Sequence, residues 1–495
     1  MIDPALLNSL AQAPVPPAHH IIDGEKRAAS DGGVMQVTSP IDGQVLTTIP
    51  RGTVDDAKGA IAAARRAFDD GRWSGLAPAA RKKIMLEWAD LVEQQAAELA
   101  VLGVRDNGTE IAMAYKAEPM SATATIRYYA EASDKIFGEI APTAPGALGL
   151  VHKEPVGVVG AIVPWNFPLM IAAWKLGPAL AAGCTVVLKP AETASLTLVR
   201  LAELALEAGM PPGVFNVVTG AGAVVGATIA ESDDVDVLVF TGSGATGRRL
   251  LAASAQSNLK RVYLELGGKS PNVVFADAPD LDEAAKVSAQ GIFRNAGQVC
   301  VAGSRLLVER GIHDAFVDRL RAHAEAMTVG NPLDPATAAG AINSEQHMLQ
   351  VLRHIDGARA AGRSILTGGQ RILENTGGYY IAPTIITGVA PDDAIARQEV
   401  FGPVLAVQAF DTEDDAVAMA NDTDYGLAAA VWTANLSRAH RMVRRIRAGV
   451  VHVNTYGGAD VTVPMGGVKQ SGNGHDKSLH AFDKYLDLKT AWIKL

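Results

Sequence analysis

Cysteine is scarce in this chain, with two in 495 residues. Cys184 lies in an apolar run and Cys300 in a polar turn, which excludes a disulfide framework and a cysteine metal site and fits a reducing, cytoplasmic setting. No metal site is expected. Long basic runs are missing as well, and the formal net charge is -9, so nucleic acid is not an expected partner. The opening residues, Met1 to Ala18, hold four prolines and neither Lys nor Arg, unlike a signal peptide. The most apolar region, 156–188, is interrupted by Lys175, Gly177 and Pro178, so it reads as buried α/β structure and not as a membrane span.

What is present is an ordinary globular composition, 48% hydrophobic and 20% charged, in a chain long enough for two or three domains. Between Thr53 and Val104 apolar residues recur at helical spacing, as in Ala57, Ile61, Ala64 and Phe68, with a break from Gly71 to Pro78. Short apolar runs follow at 158–163, 185–188, 214–218 and 235–240, alternating with helix-like stretches such as 196–208, which is βαβ punctuation. A second α/β series is expected from strands at 272–275, 305–308, 381–386 and 404–410, with a helix at 413–421. The tail from Lys484 to Lys494 alternates, with Leu486, Leu488 and Trp492 on one face, and reads as a strand.

Three segments carry candidate chemistry. Gly297-Gln298-Val299-Cys300 sets a thiol in a small polar turn after a helix-like stretch ending at Phe293, whereas Cys184 reads as inert packing. Glu265, among apolar residues at a strand end and followed by paired glycines, suits a general base whose pKa burial raises; an ion pair with Lys269 is the alternative. In Pro164-Trp165-Asn166-Phe167-Pro168 two prolines stiffen a loop whose asparagine is either an oxyanion donor or a turn-closing residue. Gly242-Ser243-Gly244-Ala245-Thr246-Gly247 matches G-x-G-x-x-G, but it follows the fourth apolar run of its sheet instead of the first.

These segments, in order with Lys189-Pro190-Ala191-Glu192, Phe240-Thr241-Gly242-Ser243, Glu265-Leu266-Gly267-Gly268-Lys269 and Glu399-Val400-Phe401-Gly402-Pro403, resemble the aldehyde dehydrogenase superfamily over nearly the whole chain. The resemblance implies an α/β fold: a Rossmann-like NAD-binding domain (1–132 and 156–267), an α/β catalytic domain (268–467), and oligomerisation segments (133–155 and 468–495) including a small β arm. It implies Cys300 as nucleophile, Glu265 as general base and Asn166 with the Cys300 backbone N–H as oxyanion hole. The cofactor site would comprise Trp165, Lys189, Glu192, Gly222, Phe240, Gly242, Ser243, Leu266, Glu399 and Phe401. Lys189 and Glu192 match adenosine-ribose contacts, where a carboxylate repels a 2′-phosphate, so NAD is expected over NADP. Without the family, the Lys189/Glu192 pair would read as a surface ion pair.

An aldehyde funnel would be lined by Ile171, Trp174, Val463 and Met465, which fit plain core equally well. Gly458 to Pro464 and Lys477 to Ala481 are similar to the subgroup acting on γ-glutamyl-γ-aminobutyraldehyde and related ω-amino aldehydes, with Asp460 as the partner of a substrate ammonium. A broad-specificity aliphatic or aromatic aldehyde dehydrogenase is the alternative. The chain departs from the subgroup at His475, where Arg is usual, which removes a permanent charge near the tail. The family pairs the terminal strand across subunits, which implies a homodimer or homotetramer. A CoA-acylating relative generally lacks the Glu265 carboxylate, and a cysteine hydrolase needs a histidine base that none of the eleven histidines offers in a recognisable motif. A catalytically dead relative would have lost part of the set Cys300, Glu265 and Asn166, which is intact.

Overall fold

Four of the apolar runs, with the strand that ends at Glu265, form one parallel sheet in the computed structural model, which describes residues 2–458 and 460–495; Met1, and Ala459 of the 458–464 segment, lie outside the described residues. The strands are Val158–Ile162, Thr185–Lys189, Phe215–Val217, Val237–Thr241 and Arg261–Glu265. Most of their residues are buried, which is why the runs are continuously apolar instead of alternating. Their spatial order is 261–265, 237–241, 158–162, 185–189, 215–217, and the antiparallel hairpin His20–Ile22/Glu25–Arg27 closes the far edge. Order therefore reverses between 158–162 and 237–241. Beyond the carboxyl ends of strands at such a reversal lies a crevice, the usual ligand site of open α/β sheets.

A second seven-stranded sheet is ordered Ser364–Thr367, Thr384–Thr387, Val404–Phe410, Arg305–Glu309, Pro271–Val274, Ala428–Trp432, Val450–Val453, parallel except at the first strand. The chain leaves the first sheet at Glu265 and enters the second at Pro271. Residues 266–270 thus join the carboxyl edge of one sheet to the amino edge of the other. The strands at 271, 305 and 404 are neighbours, so the segments entering them, which carry Cys300 and Glu399, lie side by side at that same edge.

Helices Val54–Asp69, Pro78–Gln94, Ala96–Asn107 and Leu196–Glu207 pack on the first sheet, the earliest opened by a Thr53/Asp56 capping box. Trp73 and Trp88 are fully buried there, each donating its indole N–H to a carbonyl, of Leu180 and Leu201. The tail strand Leu486–Lys494 pairs antiparallel along its nine residues with Ala147–Pro155, and Glu139–Ala141 flanks the other side. This small sheet leaves Leu488 70% and Trp492 67% exposed.

Two expectations are corrected. The apolar run 381–386 is two strands: Tyr380–Ile381 pairs with Arg371–Ile372, and Thr384–Thr387 joins the second sheet. Pro383, which has no N–H to give a ladder, separates them. Cys184 sits just before the strand and not within it, fully buried, its thiol donating to the Tyr485 carbonyl.

Candidate active site

The segment that leads to Cys300 is held in an uncommon backbone shape. After helix Leu281–Phe293, three consecutive residues, Asn295, Ala296 and Gly297, take φ of 48°, 49° and 72°. Left-handed non-glycine residues persist only where surroundings fix them. Here the Asn295 N–H donates to Glu110 Oε1 (3.1 Å), and Thr109 Oγ1 donates to Asn295 Oδ1 (2.8 Å). Gln298 Nε2 donates to the Asn295 and Ala341 carbonyls, and Gln298 Oε1 accepts the Asn343 N–H at 2.8 Å. Gly297 must be glycine, because a Cβ there would strike the Gly402 carbonyl. Cys300 emerges half-buried, braced by Tyr456, whose hydroxyl donates to the Val301 carbonyl at 2.6 Å.

Asn166 is 3% exposed and donates through Nδ2 to the Gln298 carbonyl at 2.9 Å, two residues before Cys300. A carboxamide carries two hydrogens, so one remains for a ligand. Glu265 ends its strand buried, with Oε1 lacking a hydrogen-bond partner among the described residues. The ion pair with Lys269 is not formed: among the described residues Lys269 Nζ has no partner, and burial, with Arg305 adding, brings it down to about 7.

Burial pushes the Cys300 thiol up to about 12, with the Glu399 and Glu265 charges adding and the Val301 and Cys300 N–H groups opposing. Glu265 is also raised well above the usual carboxylate range, by burial first and Asp476 second, against Lys175 and Lys484. Asp476 lies buried between Lys175 Nζ (2.8 Å) and Lys484 Nζ. Burial works against its charge, but the two ammonium groups outweigh it and hold the carboxyl below its ordinary value.

The expected cofactor residues gather on the carboxyl edge of the first sheet, around the reversal. Ser243 caps helix Gly244–Gln256, accepting the Thr246 N–H, and no acid stands in the first turn, which leaves an N-terminus open to an anion. Gly247 packs so closely on Leu264 and Leu266 that an added Cβ would lie 3.1 Å from Leu266. Gly242 lies against the buried Phe240 ring. Lys189, buried at the end of its strand, pairs with half-buried Glu192 at 2.9 Å, and the Gly222 N–H donates to Glu192 Oε1 at 2.7 Å. Glu399 Oε1 accepts the Gly268 N–H at 2.8 Å, and burial lifts this carboxyl to about 7. Phe401 takes φ 56°, its carbonyl bonded to His347 Nε2 at 2.7 Å, and Trp165 packs edge-on against it at 5.4 Å. A cavity of about 660 Å³ opens beside His347, Glu399 and Phe401. Carboxylates suited to ribose hydroxyls, an uncharged helix N-terminus and an aromatic wall together fit a dinucleotide.

Among the residues expected to line an aldehyde funnel, Trp174 is half-buried, with Lys477 Nζ 5.0 Å from its ring centre. Asp460 is exposed and accepts the Thr462 N–H at 2.8 Å; that bond, with Lys477 nearby, holds its carboxyl below the ordinary value. Met465 is buried and bonded through its main chain to Asp476, Val463 is 46% exposed, and Ile171 is packed in the core. Sequence reading did not single out His347, Glu110, Asn295, Asp476 or Lys484. One signal was in view: Lys175 is the only charge in helix Pro168–Ala182, and a lone lysine among buried residues implies a buried carboxylate partner.

A model of the aldehyde dehydrogenase family matches residues 27–491. The chain is 49% identical over 474 residues to the NADP/NAD-dependent aldehyde dehydrogenase PuuC of Escherichia coli K12, covering 96% of this chain and 95% of that protein. A solved mutant of the P. syringae indole-3-acetaldehyde dehydrogenase AldA, in complex with NAD+ and IAA, superposes with TM-score 0.98 at 51% identity over 100% of both chains. The γ-glutamyl-γ-aminobutyraldehyde dehydrogenase of Burkholderia cenocepacia does so with TM-score 0.97, at 51% identity over 99% of both.

Proposed function

Because the chain belongs to the aldehyde dehydrogenase family and is an NAD-dependent enzyme acting on aldehydes, we propose that Cys300 is its nucleophile, Glu265 its general base, and Asn166 with the Cys300 N–H its oxyanion hole. The observation that carries this is the convergence of a half-buried thiol, a buried carboxyl with an unpartnered oxygen, and an amide anchored to Gln298 at the junction of the two sheets. The sulfur bonds to the aldehyde carbon as the thiol proton passes to solvent water, and the resulting alkoxide is held by the two N–H donors, each worth about 3 kcal/mol by comparison with other oxyanion holes. NAD, when bound, supplies the acceptor for the hydride that leaves this carbon. Glu265 then takes a proton from the water that attacks the thioester, and the carbon–sulfur bond breaks to release the acid and restore the thiol.

Trp165, Lys189, Glu192, Gly222, Phe240, Gly242, Ser243, Leu266, Glu399 and Phe401 would hold the cofactor, with the Glu192 charge favouring NAD over NADP. The finer substrate reading is an ω-amino aldehyde such as γ-glutamyl-γ-aminobutyraldehyde, with Ile171, Trp174 and Met465 as the apolar wall and Asp460 as the charge partner; the name of the Burkholderia relative supports it. We also assign 1–132 and 156–267 to cofactor binding, 268–467 to catalysis, and 133–155 with 468–495 to homodimer or homotetramer assembly in the cytoplasm. Cys300→Ala is expected to abolish turnover while the purified protein still binds NAD by calorimetry. Retained turnover would overturn the mechanism.

A further inference from the structure

A second cavity, of about 650 Å³, shares no lining residue with the one beside Phe401. Its wall includes Lys116 and Ala117 from the π-helical turn Lys116–Met120, Lys286 from helix Leu281–Phe293, and Arg294, which opens the nucleophile segment. The π-helical turn also ties the cavity to the substrate side. Between Ala117 and Pro119, Glu118 Oε2 accepts the N–H groups of Leu169 (2.7 Å) and Met170 (3.1 Å), the start of the helix that carries Trp174. Such bulges recur at functional sites.

The charge around this cavity is one-sided. Among the described residues Lys116 and Arg294 make no ion pair, and Lys286 meets only the exposed Glu283, at 3.0 Å. Among the described residues the cavity's one acid is Glu110, whose Oε1 is committed to Asn295 and whose buried Oε2 has no hydrogen-bond partner there. Three cations converging from separate elements on a wall with a single, buried acid make a site for an anion, and a guanidinium favours a carboxylate through paired bonds. A purely cationic tail would meet three like charges.

Resting on the aldehyde dehydrogenase reading above, we propose that this cavity receives the far end of the aldehyde and recognises a carboxylate there through Arg294, Lys116 and Lys286. Its preferred substrates are then aldehydes whose tails end in an acid.

The test uses length-matched linear aldehydes ending in carboxylate, ammonium or methyl, over a range of chain lengths, with wild type, Arg294→Gln and the double variant Lys116→Gln/Lys286→Gln. The expected result is that wild type has its lowest KM for a carboxylate-terminated member. Arg294→Gln should raise the carboxylate-to-methyl KM ratio roughly tenfold, the loss of one charge-assisted contact, the double variant, which removes two charges, should raise it at least as much, and added salt should shrink the wild-type preference. A ratio that the variants leave unchanged, equal losses for all three tails, or a wild-type preference for the ammonium tail would each overturn the proposal. Turnover of the methyl-terminated aldehyde by wild type needs Cys300 but none of the three cavity charges, so its persistence separates failure here from failure of the Cys300 mechanism.

Discussion

At Cys300 the surroundings hold the proton on instead of releasing it. With the thiol at about 12, the thiolate fraction at neutral pH is small, and the buried Glu265 carboxyl is raised as well. The base form of Glu265 therefore exists only above its raised pKa, so the rate should climb with pH through an ionisation well above the ordinary glutamate value of about 4.3. Glu265→Gln is expected to remove that limb and slow thioester hydrolysis, seen in stopped flow as a burst of NADH followed by a slow steady state. An unchanged kcat under conditions where hydrolysis limits turnover would dismiss Glu265 as base. Asp460, exposed and accepting the Thr462 N–H, is expected to act on binding. Asp460→Asn should raise KM several-fold for ω-amino aldehydes carrying a free ammonium and leave kcat intact; an unchanged KM removes it from the substrate site.

The elements around the site are locked together by buried polar groups. The C-terminal segment contributes Asp476, which holds Lys175 of helix Pro168–Ala182 and Lys484 in a dry cluster next to Glu265. Asp476→Asn would strand two buried ammonium groups, a change that costs about 3 to 5 kcal/mol in comparable pairs. Thermal scanning should show a marked fall in Tm. Because the folded pKa of Asp476 is depressed, its contribution to stability is fully present above the unfolded value of about 3.9 and is lost as pH falls through the depressed one. The Asn variant should lack that part of the acid sensitivity. His475, beside this cluster, is exposed, and it lines a cavity of about 340 Å³ with His480 and Lys484.

For the whole molecule, the two sheets set the site at the carboxyl edge of one and the amino edge of the other, while the three-stranded arm leaves Leu488 and Trp492 to solvent. An edge strand with exposed apolar side chains is a surface for pairing. Trp492→Glu is expected to lower the oligomeric order measured by light scattering; the same mass for wild type and variant would exclude the arm from assembly. Most parallel strands were legible because burial on both faces writes continuous apolar runs, and the terminal strand because it alternates, whereas Ala428–Trp432 and Val450–Val453 were not singled out. Cys300, Glu265 and Asn166 were legible as an ordered set of motifs, though each alone had an inert alternative. The sequence by itself determined element type and the chemical candidates, since these depend on neighbours a few residues away. Only the tertiary structure decided that Glu265 leaves Lys269 unpaired, that Glu110 and Asn343 hold the loop before Cys300, and that Lys116, Lys286 and Arg294 surround one cavity. Those contacts join residues up to 185 positions apart, and the strand order that brings them together is set by the packing of whole sheets and helices, which no local pattern records.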